Sequence, residues 1–389
     1  MILVFAIIQY KRTLRCISAI NLKLYPFMNP GQSHRLRIWL LAFVSICVLT
    51  CCKKEITAPN VAQKQNESFM SNTGGNIWSS LPVPTVTGGP NTDFFNLSFS
   101  ANNKLYVVVH AYNQLWQYDP TTAQWTLTQN TFFNFISTGF LYAFTYGNVV
   151  YFMNASSKVL KAYDMQAATW SNKASFPGAA SFGYSSASTA DKGWIFAGAN
   201  GSDAHGYGYA LTDTWQYDFV ANSWSQKTSS PGLGRYNAGS FAIGDKIYFG
   251  TGISVGIMIN PTTFQITRIP IINLDWWEYN TTSDTWTQKA NFGGGTRQDT
   301  RGFAIGSKIY LGMGSAGYFT DLRSDLWSYD PSANSWTQKA SYPPGSGYPP
   351  YISMTAAGGY GYAITEIISA FWRYTPSYTI FLPQQPISN

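Results

Sequence analysis

Two arginines occupy matching places in the chain: Arg235 lies six residues before Phe241, and Arg297 six before Phe303. A guanidinium offers a planar fork of donors, which suits a carboxylate or a pair of sugar hydroxyls. Tyr236 follows the first arginine, and Gln298 and Asp299 follow the second. Three further stretches carry side chains suited to a polar ligand. They hold Asp203, His205, Tyr207 and Tyr209, then Arg268 and Trp276, then Tyr318, Asp321 and Arg323. The competing reading is structural, with each arginine paired to a nearby aspartate. No spacing ties Arg235, Arg297, His205 and Glu366 into a catalytic set, so no catalytic residue is assigned. After residue 52 the chain has only His110 and His205 and no cysteine. A Cys-ligated metal, a disulfide and a thiol nucleophile are therefore excluded from that part, and neither cofactor nor metal is expected.

These residues must be positioned by β-structure. Charged residues are only 11% of the chain and aromatic residues 17%, a composition of strands joined by tight turns. An internal repeat dominates. LWQYDPTTAQW ends at Trp125, TWQYDFVANSW at Trp224, WWEYNTTSDTW at Trp286 and LWSYDPSANSW at Trp336, with a weaker copy, LKAYDMQAATW, ending at Trp170. In four copies Trp and Tyr two apart share one strand face, and in the weaker copy Lys161 takes the place of that Trp. Asp119, Asp164, Asp218, Asn280 and Asp330 open a turn by bonding their own backbone, and the second Trp sits on the returning strand. A second hairpin precedes each copy, most clearly in 240–252 and 302–314, and a sixth such hairpin lies at 355–365. Phe371-Trp372-Arg373-Tyr374 supplies a sixth Trp-x-Tyr strand without a following Trp, while Trp78 stands alone near the other end. The spacing predicts that the N-terminal strand completes the last unit and removes its open edge.

The Ile-Tyr hairpin, the glycines after it and the Tyr-Asp-x5-Trp unit resemble the kelch family over residues 76–376. The fold expected is an all-β, six-bladed kelch-type β-propeller over 76–389, its last blade closed by an N-terminal strand. Only 250–252 and 312–314 keep two glycines, so blades one and two depart from the pattern. The repeated Trp, Tyr and Asp are read as blade packing and turns, not as a glycan platform or a carboxylate pair.

In such a blade the hairpin turns share one face and the inter-hairpin loops the other. Blades three, four and five have long loops, from Gly198 to Trp215, Gly252 to Trp277 and Gly314 to Trp327. Variable loops on a rigid scaffold commonly carry function. The expected ligand-binding set on that face is Arg235, Tyr236, Arg297, Asp299, Asp203, His205, Trp276, Tyr318 and Arg323, with both arginines at the channel mouth. The loop 252–275, apolar in GISVGIMIN and ITRIPIINL, reads as a protein contact or as an extra hairpin packed on the ring.

Residues 28–52 read as an export signal. Arg35 and Arg37 precede an apolar stretch, Ile38 to Leu49, too short for an ordinary spanning helix. The ending Leu49-Thr50-Cys51-Cys52 resembles a bacterial lipoprotein signal, with lipid on Cys52 or on Cys51. Translation is expected to begin at Met28, and residues 53–75 form a flexible tether. Six of the 25 basic residues fall within 1–51, where there is no acid, leaving 25 − 6 = 19 against 18 acidic residues. No basic patch supports nucleic-acid binding.

The expectation is an extracytoplasmic, lipid-anchored, non-catalytic binding or interaction module. It sits at the outer membrane, periplasmic or surface-facing, and its partner is a glycan or a protein on the long-loop face of blades three to five. The resemblance implies two enzymatic alternatives. A galactose oxidase-like copper site needs two His, two Tyr and a Cys, and the histidine and cysteine counts argue against it. A metal-independent sugar epimerase or mutarotase of the sialic acid epimerase type is the alternative retained.

Overall fold

The computed structural model describes residues 76–86, 97–109, 112–129, 141–203, 206–343, 352–365 and 368–376. The export signal with Cys51, Cys52 and Met28, the tether 53–75, and His110, His205 and Glu366 lie outside the described residues. None of the described helical structure is long and apolar enough to cross a membrane.

All extended ladders among the described residues are antiparallel, and they include six four-stranded sheets. Their innermost strands are Leu97–Ala101, Leu141–Tyr146, Ser185–Ser188, Gly239–Ile243, Arg301–Ile305 and Ile352–Ala357. Each innermost strand touches the next, and the first also touches the sixth. Five sheets are built from consecutive hairpins. The sixth takes its outer strand, Ile77–Leu81, from the other end of the chain. Ile77 lies opposite Thr375 and Leu81 opposite Phe371. The arrangement is propeller-like.

Hydrophobic burial lies between sheets, because each sheet is covered only by its neighbours. Six clusters of buried side chains span the boundaries, one of them joining the first sheet (Leu105, Tyr118) to the sixth (Tyr362, Phe371). The repeat tyrosines Tyr118, Tyr217, Tyr279, Tyr329 and Tyr374 are buried in them. Each packs on the Trp of its own sheet, as Tyr279 does on Trp286 at 4.8 Å. The repeated aromatics are thus packing, as expected.

The polar ends of these tryptophans follow a rule that the sequence did not show. Nε1 of Trp125, Trp224, Trp286 and Trp336 donates to the carbonyls of Pro82, Ala174, Thr228 and Ala290 at 2.8–3.0 Å. Each bond ties an outer strand back to the connector before its sheet. Trp78 does the same with Ala340 at 3.0 Å, so it stands where the expected missing Trp belongs. The turn aspartates also act as expected: Asp218 Oδ1 accepts from the Val220 and Ala221 amides at 2.9 and 2.8 Å.

The Gly-x-Gly pairs have a steric cause. A Cβ on Gly250 would meet the Asp275 carbonyl at 2.2 Å, and one on Gly312 the Asp325 carbonyl at 2.0 Å. The second glycines, Gly252 and Gly314, have φ of 88° and 73°, a region open to glycine.

Candidate functional site

Both matched arginines are fixed within the fold. Arg235 is 2% exposed and holds Asp275 with two bonds of 2.7 Å, and it also donates to the Thr251 carbonyl at 3.2 Å. Arg297 is 1% exposed and repeats the pattern. It bonds Asp325 at 2.6 and 3.1 Å, the Met313 carbonyl at 3.0 Å and the Gly294 carbonyl at 2.6 Å. Each carboxylate also accepts the indole N–H two residues on, Trp277 or Trp327, at 2.7 Å. Burial alone would raise the Asp325 carboxyl, but its bonds to Arg297 and Trp327 outweigh that and hold it below the usual range. The expectation that these arginines face the channel mouth is corrected. Their donors clamp the long loop of their own sheet, because the aspartate two before each Trp comes within reach only on folding. Trp276 is also core: it is fully buried, edge-on to Trp336 at 5.3 Å. Tyr236 is 3% exposed and lies against Phe182 and Ile253.

The other loop residues meet above the third to fifth sheets. Ala199–Ser202 and Gly208–Ala210 form a short ladder from the third. Ile253–Ile259 and Ile266–Ile272 form a long hairpin from the fourth, continued by Arg235–Tyr236. Arg268 of this hairpin bonds Asp203 at 2.9 Å and lies over the Tyr209 ring at 4.6 Å. Tyr318, from the fifth sheet's loop, packs edge-on to Tyr207 at 5.2 Å. Its phenol is pushed up to about 12 by burial and by Tyr236. Asp321 and Arg323 form an exposed pair. The long loops therefore join in one crown, in which Arg268 and Asp203 are mutually satisfied.

A second group of polar residues gathers at the rim of the innermost strands, and sequence reading found only Asp299 in it. Asn237 and Asp299 each lie two residues after a clamp arginine, with φ of 56° and 52°. Non-glycine residues in this conformation carry a backbone cost and concentrate at functional sites. The Asp299 amide donates to the Asn237 carbonyl at 3.0 Å, and the Asn237 amide to the Gly183 carbonyl at 2.9 Å. The rim thus steps from sheet to sheet. Burial raises the Asp299 carboxyl above the usual carboxylate range, against the opposing influence of Arg301 and a bond from Asn237. Arg301 opens the fifth innermost strand and donates to the Ile352 carbonyl at 3.0 Å. Tyr142 opens toward the same charges. Its phenol, raised by burial, interacts with the Tyr184 and Gly183 backbone and then with Arg301 and Asp299, and its ring meets Tyr184 edge-on at 5.1 Å.

Tyr142 also lines a central cavity of about 410 Å³ between the innermost strands. Small residues face it, among them Ser100, Ser188, Ser240, Ala242, Gly302 and Thr355. The recurrence of small residues in every innermost strand is the signal that could have located the cavity. The Tyr142 phenol in its wall, with the nearby Asp299 carboxyl, Arg301 guanidinium and Asn237 amide, can donate to and accept from a polyhydroxylated ligand, and a carboxyl can exchange a proton.

No protein-family profile matches the chain, and no curated protein matches it in sequence. Many solved structures resemble it in fold. One, described as the structure of YjhT, is 15% identical with a TM-score of 0.46, and the match covers 58% of this chain and 71% of that one.

Proposed function

We propose that the chain is a six-bladed kelch-type β-propeller, closed by its N-terminal strand, that works as a lipid-anchored extracytoplasmic binding module. Six sheets with touching inner strands, the first-to-sixth core cluster and the Trp78 bond support that architecture. The lipid anchor at Cys52 or Cys51 and the outer-membrane location rest on the signal-like sequence. Ile77 pairs with Thr375, at the end of the sixth sheet where the hairpin turns lie.

The ligand is a glycan fragment at the channel mouth. The observation that carries this is the gathering of Asp299, Arg301 and Asn237 around Tyr142, which lines the cavity between the innermost strands. A second reading, metal-independent sugar epimerase or mutarotase, draws on Asp299, a buried carboxyl raised above the usual carboxylate range near the Arg301 guanidinium. A glycan array with acidic and neutral sugars tests both. Binding should be lost in Arg301→Ala and Asp299→Ala but kept in Arg323→Ala. Anomer exchange catalysed on a hit would establish the enzyme reading. A folded sample with no hit, or hits indifferent to both rim variants, would remove the glycan.

A further inference from the structure

The crown hairpin carries an apolar surface that the glycan site does not use. Ile257, Met258, Ile259, Phe264 and Ile266 are 68%, 54%, 57%, 77% and 68% exposed. Successive strand residues point to opposite faces, so Ile257, Met258 and Ile259 leave the distal ribbon apolar on both sides. Its stem is rigid. Ile253 is buried, Asn273 bonds Ser254 at 2.8 Å, and Arg268 is anchored on Asp203. A rigid stem with a bare apolar end is not a loose loop awaiting collapse.

The ribbon also ends in an open edge. In its three-stranded sheet Ile266–Ile272 is the outer strand, with no further strand beyond it among the described residues. Unpaired edge strands invite another chain, and proteins usually blunt them with proline or charge. Pro270 blunts the inner half. The outer half has no such guard. Residues 253–267 contain no charge, and Arg268 is neutralised by Asp203.

We propose that a second copy of this chain covers the ribbon, the two Ile266–Arg268 edges pairing antiparallel about a two-fold axis. A two-fold contact sets one surface patch against itself, so a charge near the axis would lie close to its own copy and repel it. An uncharged apolar edge meets that demand, whereas it gives a different protein no charge to recognise. Area is adequate: five such side chains offer on the order of 600 Å² per copy, so about 1,200 Å² in total, the lower bound for a specific interface.

Sedimentation velocity of the full chain in mild detergent, across a wide concentration range, tests this. The parent should double in mass as concentration rises, and Phe264→Asp/Ile266→Asp should stay single with unchanged near-ultraviolet circular dichroism. A short bismaleimide should link Thr267→Cys into a covalent dimer above the background of the parent's own cysteines. Asn102→Cys, in a hairpin turn on the far face, should not link. A monomeric parent at every concentration without a Thr267→Cys cross-link overturns the proposal. So does a dimer that survives the double substitution, or a ribbon cross-linked only to a different protein.

Discussion

Replacing Arg297 with alanine separates a clamp from a ligand arm. The side chain is 1% exposed and holds Asp325, the Met313 carbonyl and the Gly294 carbonyl. Removing one partner of a buried pair costs about 3–5 kcal/mol, since the other charge and its acceptors stay behind. Asp325 keeps the Trp327 indole and its side chain is 19% exposed, which favours the lower half of that range. For a folded region of some 300 residues, unfolding entropy is about 0.6 kcal/mol/K, so ~4 kcal/mol lowers Tm by about 6 °C. The matched control is Arg323→Ala, whose pair with Asp321 is half exposed and should cost under about 1 kcal/mol. Scanning calorimetry or urea unfolding reads both. The pH dependence adds a second signature. The folded-state pKa of Asp325 is depressed, so its contribution is present above the ordinary carboxylate value near 3.9 and lost as pH falls through the depressed one. The gap between parent and Arg297→Ala should shrink on acidification below about pH 4. An Arg297→Ala protein that melts within a degree of the parent, yet loses ligand, would refute the clamp.

Asp299→Asn should behave in the opposite sense. Its carboxyl is raised in the fold, so the parent loses stability as pH rises from the ordinary carboxylate value through the raised one. The amide variant should be the more stable of the two at pH 8 and gain nothing at pH 3, by urea titration. Trp78→Ala removes a 2% exposed ring packed on Tyr342 and Tyr374. It should cost about 3–5 kcal/mol, with hydrogen exchange rising first along Phe371–Thr375. Ala123→Gly relieves an exposed alanine at φ 54° and should raise stability by about 0.5–1 kcal/mol in thermal unfolding. Gly312→Ala drives a Cβ to 2.0 Å from the Asp325 carbonyl, so the folded yield should fall sharply, and unchanged stability would sink the steric account.

The equivalent turn residues Asn222, Asp284 and Asn334 show why some repeats depart from the pattern. All three adopt positive φ. Their side chains accept from Tyr217, Tyr279 and Tyr329 at 2.6–2.8 Å and from the Ala174, Thr228 and Ala290 amides at 2.9 Å. One residue therefore caps its own turn and staples the preceding connector. The first two sheets have Ala123 and Ala168 there, in the same conformation but without a side-chain acceptor.

The sequence by itself determined the strands, the turns and the aromatic packing, because these are local and repeat at fixed spacing. Tyr and Trp two apart mark a face, Asp opens a turn, and the lone Trp78 matches the Trp missing after Tyr374. Long loops on three adjacent units were legible for the same reason. Only the tertiary structure decided what each charged residue does. Arg235 and Arg297 resemble ligand arms until the fold brings Asp275 and Asp325, 40 and 28 residues on, into reach. Tyr142 and Arg301 belong to different repeats and carry no motif, so nothing in the chain order links them. They come together because the innermost strands pack against one another, and that spatial order is a property of the packed sheets rather than of any segment.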